Sequence, residues 1–184
     1  MEMITNMDFA VLDWIQSVLR CTVLDWLMTG FSYLAEGGAV WIVLGIVLLF
    51  FRKTRAAGAA LLASLLIGWV IGGFVIKPLV QRVRPCNINT DVLLAVKRPS
   101  SYSFPSGHSI TSGAAAAVML ATHRKIGWAV LPVALLVMFS RLYHYVHYPT
   151  DVLAGALLGV LTAVVVLLIM RKTGLERKLS PHTA

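Results

Sequence analysis

The sequence predicts an all-α, polytopic membrane bundle of about five to six crossing helices, preceded by amphipathic N-terminal helices. Three observations carry that expectation. Of 184 residues, 58% are hydrophobic and only 13% charged, with a mean hydropathy of +0.80. A soluble domain of this size has no interior large enough to hide so much apolar side chain. The apolar residues gather into five strong runs, and the connectors on one side of them are basic, as loops retained in the cytoplasm are.

Residues 8–35 are apolar but interrupted at helical spacing. Asp13, Gln16, Ser17 and Arg20 mark one polar face; Asp25, Thr29, Ser32 and Glu36 mark another, opposite Leu24, Leu27, Met28 and Phe31. That pattern predicts amphipathic helices lying at the membrane surface, with a tilted polar span as the alternative. The five stronger runs cover 38–51, 56–76, 108–122, 128–143 and 152–170. The shorter of them fall below the roughly 20 residues of a perpendicular span and should extend into their flanks. Neither a repeat nor a low-complexity linker interrupts the chain, so 1–184 reads as one membrane domain. Within it, 1–36 is the interfacial segment, 37–170 the transmembrane core and 171–184 a cytoplasmic tail. The first residues lack the basic, apolar and small-residue succession of a removable signal peptide. Cys21 and Cys86 lie far apart, without metal-ligand spacing, and would pair only if both faced outside.

The connectors orient the bundle. Residues 52–55 (RKTR), 123–125 (HRK), Arg171-Lys172 and Arg177-Lys178 are basic and belong to the cytoplasmic side. The N-terminal segment carries five acids (Glu2, Asp8, Asp13, Asp25, Glu36) against Arg20 alone and falls on the outer side. By alternation, residues 77–107 and 144–151 emerge there too. The net charge of +8 forms no basic stripe of the kind nucleic acid requires. It divides between topology and an anionic ligand.

Three segments on the outer face carry chemistry. In KPLVQRVRP, Lys77, Gln81 and Arg84 stand at i, i+4 and i+7 and would form one stripe if helical, with Pro85 ending the helix. Cations here run against the positive-inside bias, which points to an anion. In YSFPSGHSITSG, Ser106 is a good N-cap, Gly107 permits close approach to the backbone, and His108 follows in the first turn. Such a helix start offers free N–H groups and a positive dipole end. In SRLYHYVHYPTD, Arg141 lies near the end of its span, and His147 and Asp151 are four apart where a helix begins at Pro149-Thr150. The carboxylate can then take a proton from one ring nitrogen and leave the other as a nucleophile; a structural ion pair is the ordinary alternative.

Lys77, Arg84 and Arg141 would together cost on the order of 8–10 kcal/mol if dry and unpaired, at roughly 2.5–3.5 kcal/mol each. Asp91 and Asp151 are the carboxylates near them in sequence, so the missing counter-charge comes with the substrate. A phosphate or diphosphate fits, and arginine recognises its oxygens bidentately. His108, His144, His147 and Asp151 also have the chemistry of zinc or iron ligands. Three neighbouring cations would repel a divalent ion, so no metal and no other cofactor is expected.

Taken together, Lys77-(six residues)-Arg84-Pro85, Pro105-Ser106-Gly107-His108 and Ser140-Arg141-(five residues)-His147-(three residues)-Asp151 resemble the three-part signature of the type 2 phosphatidic acid phosphatase family. Its members are metal-independent lipid phosphatases sharing a catalytic core with vanadium haloperoxidases. The resemblance implies that His147 attacks phosphorus to form a phosphohistidine while Asp151 orients it. His108 would protonate the leaving oxygen and then activate water. Lys77, Arg84, Ser106, Gly107 and Arg141 would hold the phosphoryl oxygens. His144 falls outside the signature and reads as a bystander at the interface. Tyr102, Phe104, Tyr143, Tyr145 and Tyr148 read as interfacial anchors.

The expected partners are the bilayer and a lipid phosphate or diphosphate. The small size resembles the bacterial branch acting on undecaprenyl diphosphate, with phosphatidylglycerol phosphate or phosphatidic acid as the alternative. The expected location is a plasma membrane, with the site on the extracytoplasmic face. Lys97 and Arg98 are candidates for a second phosphate, although ordinary solvated loop charge explains them as well. A non-catalytic lipid-phosphate carrier would need the same cations but not two histidines and an oriented carboxylate.

Overall fold

The computed structural model describes residues 2–179, and all of its regular elements are helical. Residues 180–184, the end of the expected cytoplasmic tail, lie outside the described residues. In chain order the helices are α1 (Glu2–Trp14), α2 (Thr22–Leu34), α3 (Ala39–Phe50), α4 (Arg55–Trp69), α5 (Lys77–Val80) and α6 (Pro85–Ile88). Then follow α7 (Gly107–Thr122), α8 (Arg124–Tyr143), α9 (Pro149–Lys172) and α10 (Leu175–Leu179). Wide π-type turns extend α1 through Ile15–Leu19 and carry α4 through Val70–Ile76 into α5.

The centre of the bundle is α7. Its Ser, Gly and Ala residues make a helix thin enough for α3, α4, α8 and α9 to surround it. Ala114, Ala115 and Val118 meet Ala60 and Leu61 of α4, Val137 of α8 and Ala163 of α9 in one core. The crossing of α7 and α9 depends on absent side chains. A Cβ on Gly159 would stand 2.1 Å from the Ile110 carbonyl oxygen, and one on Gly155 would stand 2.6 Å from that of Ser106. Neither carbonyl can rotate away without unwinding its helix. Outward faces are apolar: Leu153, Leu157, Leu161 and Leu168 of α9 are all exposed, as a lipid-facing stripe is.

Three helical runs are long and apolar enough to cross a membrane: Arg55–Ile88, Arg124–Tyr143 and Pro149–Lys172. A fourth arises if Thr22–Leu34 and Glu36–Phe50, bent by 43° at their junction, count as one span. The expected extension of the 108–122 run is absent. At 16 residues α7 is only about 24 Å long, and being enclosed by other helices it needs no lipid-facing surface.

The N-terminal helices bury a mixed face rather than the cleanly apolar one of a surface helix, although Asp13, Ser17 and Arg20 are exposed as expected. Asp8, Leu12 and Ile15 of the first helix and Met28 and Ser32 of α2 turn inward and are buried. Trp14, Val18, Val23 and Trp26 turn outward. Asp25 accepts from the Tyr143 hydroxyl at 2.8 Å, and Gln16 donates to the Tyr143 carbonyl at 2.7 Å. The buried side of these helices thus combines apolar packing with polar groups that find partners in the bundle.

The 77–85 stripe does not form. The helix ends at Gln81, which adopts a left-handed conformation (φ 49°), and Pro85 begins α6 instead of terminating a helix. This break swings residues 82–84 out of helical register and turns Arg82 and Arg84 into the bundle.

Candidate active site

At the end of the bundle opposite the basic connectors, the α5 start, the α7 start and the α8–α9 corner enclose a cavity of about 700 Å³. Lys77, Arg84, Gly107, His108, Arg141 and His147 line it. Two further residues expected at the site lie behind its wall: Ser106 and Asp151 are both 0% exposed.

The first segment supplies two cations held by one loop. Lys77 donates to the Tyr102 carbonyl at 3.0 Å. Arg84 is 4% exposed and fully committed. Its Nε donates to the Ser101 carbonyl (2.7 Å), Nη1 to the Val146 carbonyl (2.8 Å), and Nη2 to Ser101 Oγ (3.1 Å) and the Tyr102 carbonyl (3.2 Å). The remaining Nη1 proton points at His147 Nε2, 3.0 Å away. Guanidinium has no acceptor capacity, so Nε2 must present its lone pair and Nδ1 must carry the ring proton. That Nδ1 lies 3.4 Å from Asp151 Oδ2, at ion-pair distance but without a closed hydrogen bond. Burial first, then Arg84 and Arg141, hold the His147 imidazolium well below the ordinary histidine range. The ring is therefore neutral and nucleophilic at neutral pH.

Asp151 is fixed by the start of α9. Its Oδ2 accepts the Tyr148 backbone N–H at 3.0 Å, and its carbonyl accepts the Ser106 N–H at 3.1 Å, tying the second segment to the third. Ser106 caps α7, accepting from Ser109 N–H (3.4 Å) and Ser109 Oγ (3.0 Å). A Cβ on Gly107 would meet nothing within 4 Å, so the helix start stands open to the cavity. Residue His108 donates from Nε2 to the Ser32 carbonyl at 3.2 Å, with the Glu36 carboxylate 3.7 Å away. Arg141 is 5% exposed and donates from Nη1 to Ser32 Oγ; its Nε has no partner among the described residues.

Several residues escaped the sequence reading. Arg82 donates to Asp151 Oδ1 (2.6 Å), Thr150 Oγ1 (2.7 Å) and Asp8 Oδ2 (2.7 Å), with its guanidinium 3.8 Å over the Tyr148 ring. It takes the counter-charge that had been set against Lys77, Arg84 and Arg141; Asp91 is exposed and forms no ion pair among the described residues. The signal was present: a buried carboxylate beside four cations had to choose one of them. Ser32 and Ser101 touch the site residues but carried no spacing that would reveal it.

Other expectations change with the structure. Tyr143, Tyr145 and Tyr148 are buried rather than interfacial, and Tyr145 donates to Asp13 Oδ1 at 2.6 Å. His144 is also buried, edge-on to Tyr143, rather than at the interface. Lys97 and Arg98, by contrast, keep their place as candidates: both are exposed and line the cavity, and Arg98 also donates to the Cys86 carbonyl and to Asn87 Oδ1. Cys21 and Cys86 are both free thiols.

A second, apolar cavity of about 460 Å³ adjoins the first, lined by Ile42 of α3 and by Leu62, Leu65, Leu66 and Trp69 of α4. Gly37, Gly38, Trp69 and Thr111 border both.

Residues 55–175 match the family model described as the PAP2 superfamily. An undecaprenyl-diphosphatase of Sulfolobus acidocaldarius is 40% identical over 121 residues, covering 65% of this chain and 58% of that protein, so the match spans under two thirds of the relative. Among solved structures, a transmembrane PAP2-type phosphatidylglycerolphosphate phosphatase from Bacillus subtilis superposes with a TM-score of 0.73 at 29% identity, covering 94% of this chain and 88% of that one. A bacterial vanadium-dependent iodoperoxidase superposes with a TM-score of 0.70 at 17% identity, covering 89% of this chain and 48% of that one, which is a likeness of fold alone.

Proposed function

Because the chain belongs to the PAP2 superfamily, we propose that it hydrolyses a membrane lipid phosphate or diphosphate, without metal, through a phosphohistidine on His147. The observation that carries this reading is the tautomer imposed by Arg84: the Nε2 lone pair faces the cavity wall that the cations share, and Nδ1–H faces Asp151.

On binding, the phosphoryl group takes the Arg84 Nη1 donor from His147 and engages Arg141, Lys77 and the open α7 start. His147 Nε2 attacks phosphorus, the bond to the leaving oxygen breaks, and His108 in its imidazolium form donates the proton that oxygen needs. The dianion itself favours that form of His108. Water then attacks the phosphohistidine, His108 takes its proton, and inorganic phosphate leaves. The work is positioning and charge stabilisation.

The first substrate reading is undecaprenyl diphosphate, after the undecaprenyl-diphosphatase that is 40% identical to this chain. A phosphatidylglycerol phosphate is the second reading, favoured by the near-complete overlap with the Bacillus subtilis structure. In either case the adjoining apolar cavity between α3 and α4 is a fitting place for the tail next to the headgroup site. The basic connectors at the opposite end of the bundle support an extracytoplasmic position for the cavity.

The test is phosphate release by purified protein in detergent with EDTA, from undecaprenyl diphosphate, phosphatidylglycerol phosphate and phosphatidic acid. Release is expected from at least one. No release from any member, or release only on adding a divalent metal, overturns the reading.

A further inference from the structure

Arg82 is the residue the catalytic steps above do not use, yet it makes the shortest contacts around Asp151. Its two Nη groups divide between carboxylates on different helices: Asp151 of α9 at 2.6 Å and Asp8 of α1 at 2.7 Å. Asp151 is 0% and Asp8 3% exposed. Asp8 also accepts from Thr150 N–H at 3.1 Å and Thr150 Oγ1 at 2.6 Å, one residue before Asp151. The Tyr148 ring lies under the guanidinium at 3.8 Å. Two buried carboxylates thus share one cation, which is itself 22% exposed. A buried charge-assisted set of this kind is costly unless every member is paired, and a simple clamp for α1 would not need to run through the carboxylate facing His147.

We propose that Asp8, Arg82 and Asp151 form a carboxylate–guanidinium–carboxylate relay, by which the N-terminal helix sets the effective charge on Asp151 and so the basicity of His147. Arg82 and Asp8 are positioning residues in this arrangement, because they act through Asp151 and do not touch the cavity. The inference rests on the assignment of His147 as the group that Asp151 orients. When Arg82 is drawn toward Asp8, Asp151 is less neutralised and His147 becomes a stronger base; when Arg82 is held by Asp151 alone, the reverse follows. The other charged groups facing His147 are Arg84 beside α6, Lys77 at the α5 start, Arg141 of α8 and His108 of α7; Lys77 and Arg84 also feel the Asp151 charge, but their hydrogen bonds go to the 101–102 loop, the Val146 carbonyl and His147.

The relay makes a signed prediction. Removing Arg82 exposes His147 to the full Asp151 charge and raises its titration midpoint by roughly one pH unit. Removing the Asp8 charge leaves Arg82 wholly to Asp151 and lowers the midpoint. The experiment is titration of ring-labelled histidine by NMR in detergent on the full chain, with the His147 resonance assigned by its loss in His147→Asn. It compares wild type with Arg82→Gln, Arg82→Lys and Asp8→Asn, alongside the pH profile of kcat/KM. Opposite shifts for Arg82→Gln and Asp8→Asn, with Arg82→Lys near wild type in midpoint, are expected. Unchanged midpoints, or shifts of one sign in both variants, overturn the relay and leave a structural clamp. If Arg82→Gln does not fold, Asp8→Asn decides alone: an unmoved or raised midpoint overturns it. The NMR midpoint needs no turnover, so an inactive wild type would refute the phosphatase reading without touching this one.

Discussion

Arg84 donates from Nη1 to Nε2 of His147 across 3.0 Å, so the lone pair that would attack phosphorus is covered in the unliganded protein. The cation that would recruit the phosphate is also the group that uncovers the nucleophile. His147→Ala should abolish lipid phosphate hydrolysis, and quenching of wild type with labelled substrate in alkaline detergent should trap an acid-labile, alkali-stable phosphoprotein that the variant lacks. His144→Ala should keep most of kcat, since His144 lies against Tyr143 and not in the cavity lining. The reverse ranking would reassign the nucleophile.

Arg141 differs from Arg84 in having most of its donors free, with Ser32 Oγ its one hydrogen-bond acceptor among the described residues. Its donors are therefore available to a phosphoryl group without breaking the fold. Arg141→Ala should lower kcat/KM by roughly 10²-fold or more while leaving thermal stability near wild type or above it. Steady-state kinetics paired with a melting curve in detergent checks both; a large loss of stability with unchanged kcat/KM would contradict it.

Stability should fall as the solution is acidified. Burial first, with Arg84 and Arg141 adding to it, holds His147 well below the ordinary value, and burial, with Arg141 adding to it, holds His144 down at about 4. The unfolded chain binds these protons at a higher pH than the folded one. Stability is thus complete above roughly pH 6.5 and declines as pH drops from there toward 4. Melting temperatures in detergent between neutral pH and about pH 4.5 should decrease steadily; a flat or rising profile would count against neutral buried rings.

Gly159→Ala should destabilise the fold by about 1–3 kcal/mol, because its Cβ would lie 2.1 Å from the Ile110 carbonyl oxygen. Separating α7 from α9 also pulls Ser106 away from Asp151, so kcat should fall along with the melting temperature. Gly30→Ala on α2, where a Cβ meets nothing within 4 Å, is the control and should leave both nearly unchanged.

How legible the molecule was in its sequence varies by element. The 152–170 run became α9 (Pro149–Lys172) because an apolar run closed by Pro at its start and Arg171-Lys172 at its end has few alternatives. The N-terminal helices were legible as helices but not in which of their polar residues, Asp8 and Ser32 among them, would be buried. Helical spacing separates two faces, and only the neighbours decide which face looks outward. The 77–85 segment was legible in its residue types and not in its path, because the left-handed turn at Gln81 is a tertiary choice with no glycine to announce it.

The sequence by itself determined an all-helical membrane chain and three cation- and histidine-bearing segments of a PAP2-type signature, since composition, spacing and residue chemistry are local properties. Tertiary structure alone decided the pairings. Arg82, not Lys77 or Arg84, took the Asp151 charge; Arg84 selected the His147 tautomer; and three tyrosines that spacing placed at an interface were drawn inside. The physical reason is that a buried charge or hydroxyl must be satisfied by whatever the packed chain brings within about 3 Å. That distance depends on helices remote in sequence meeting through glycines such as Gly155 and Gly159.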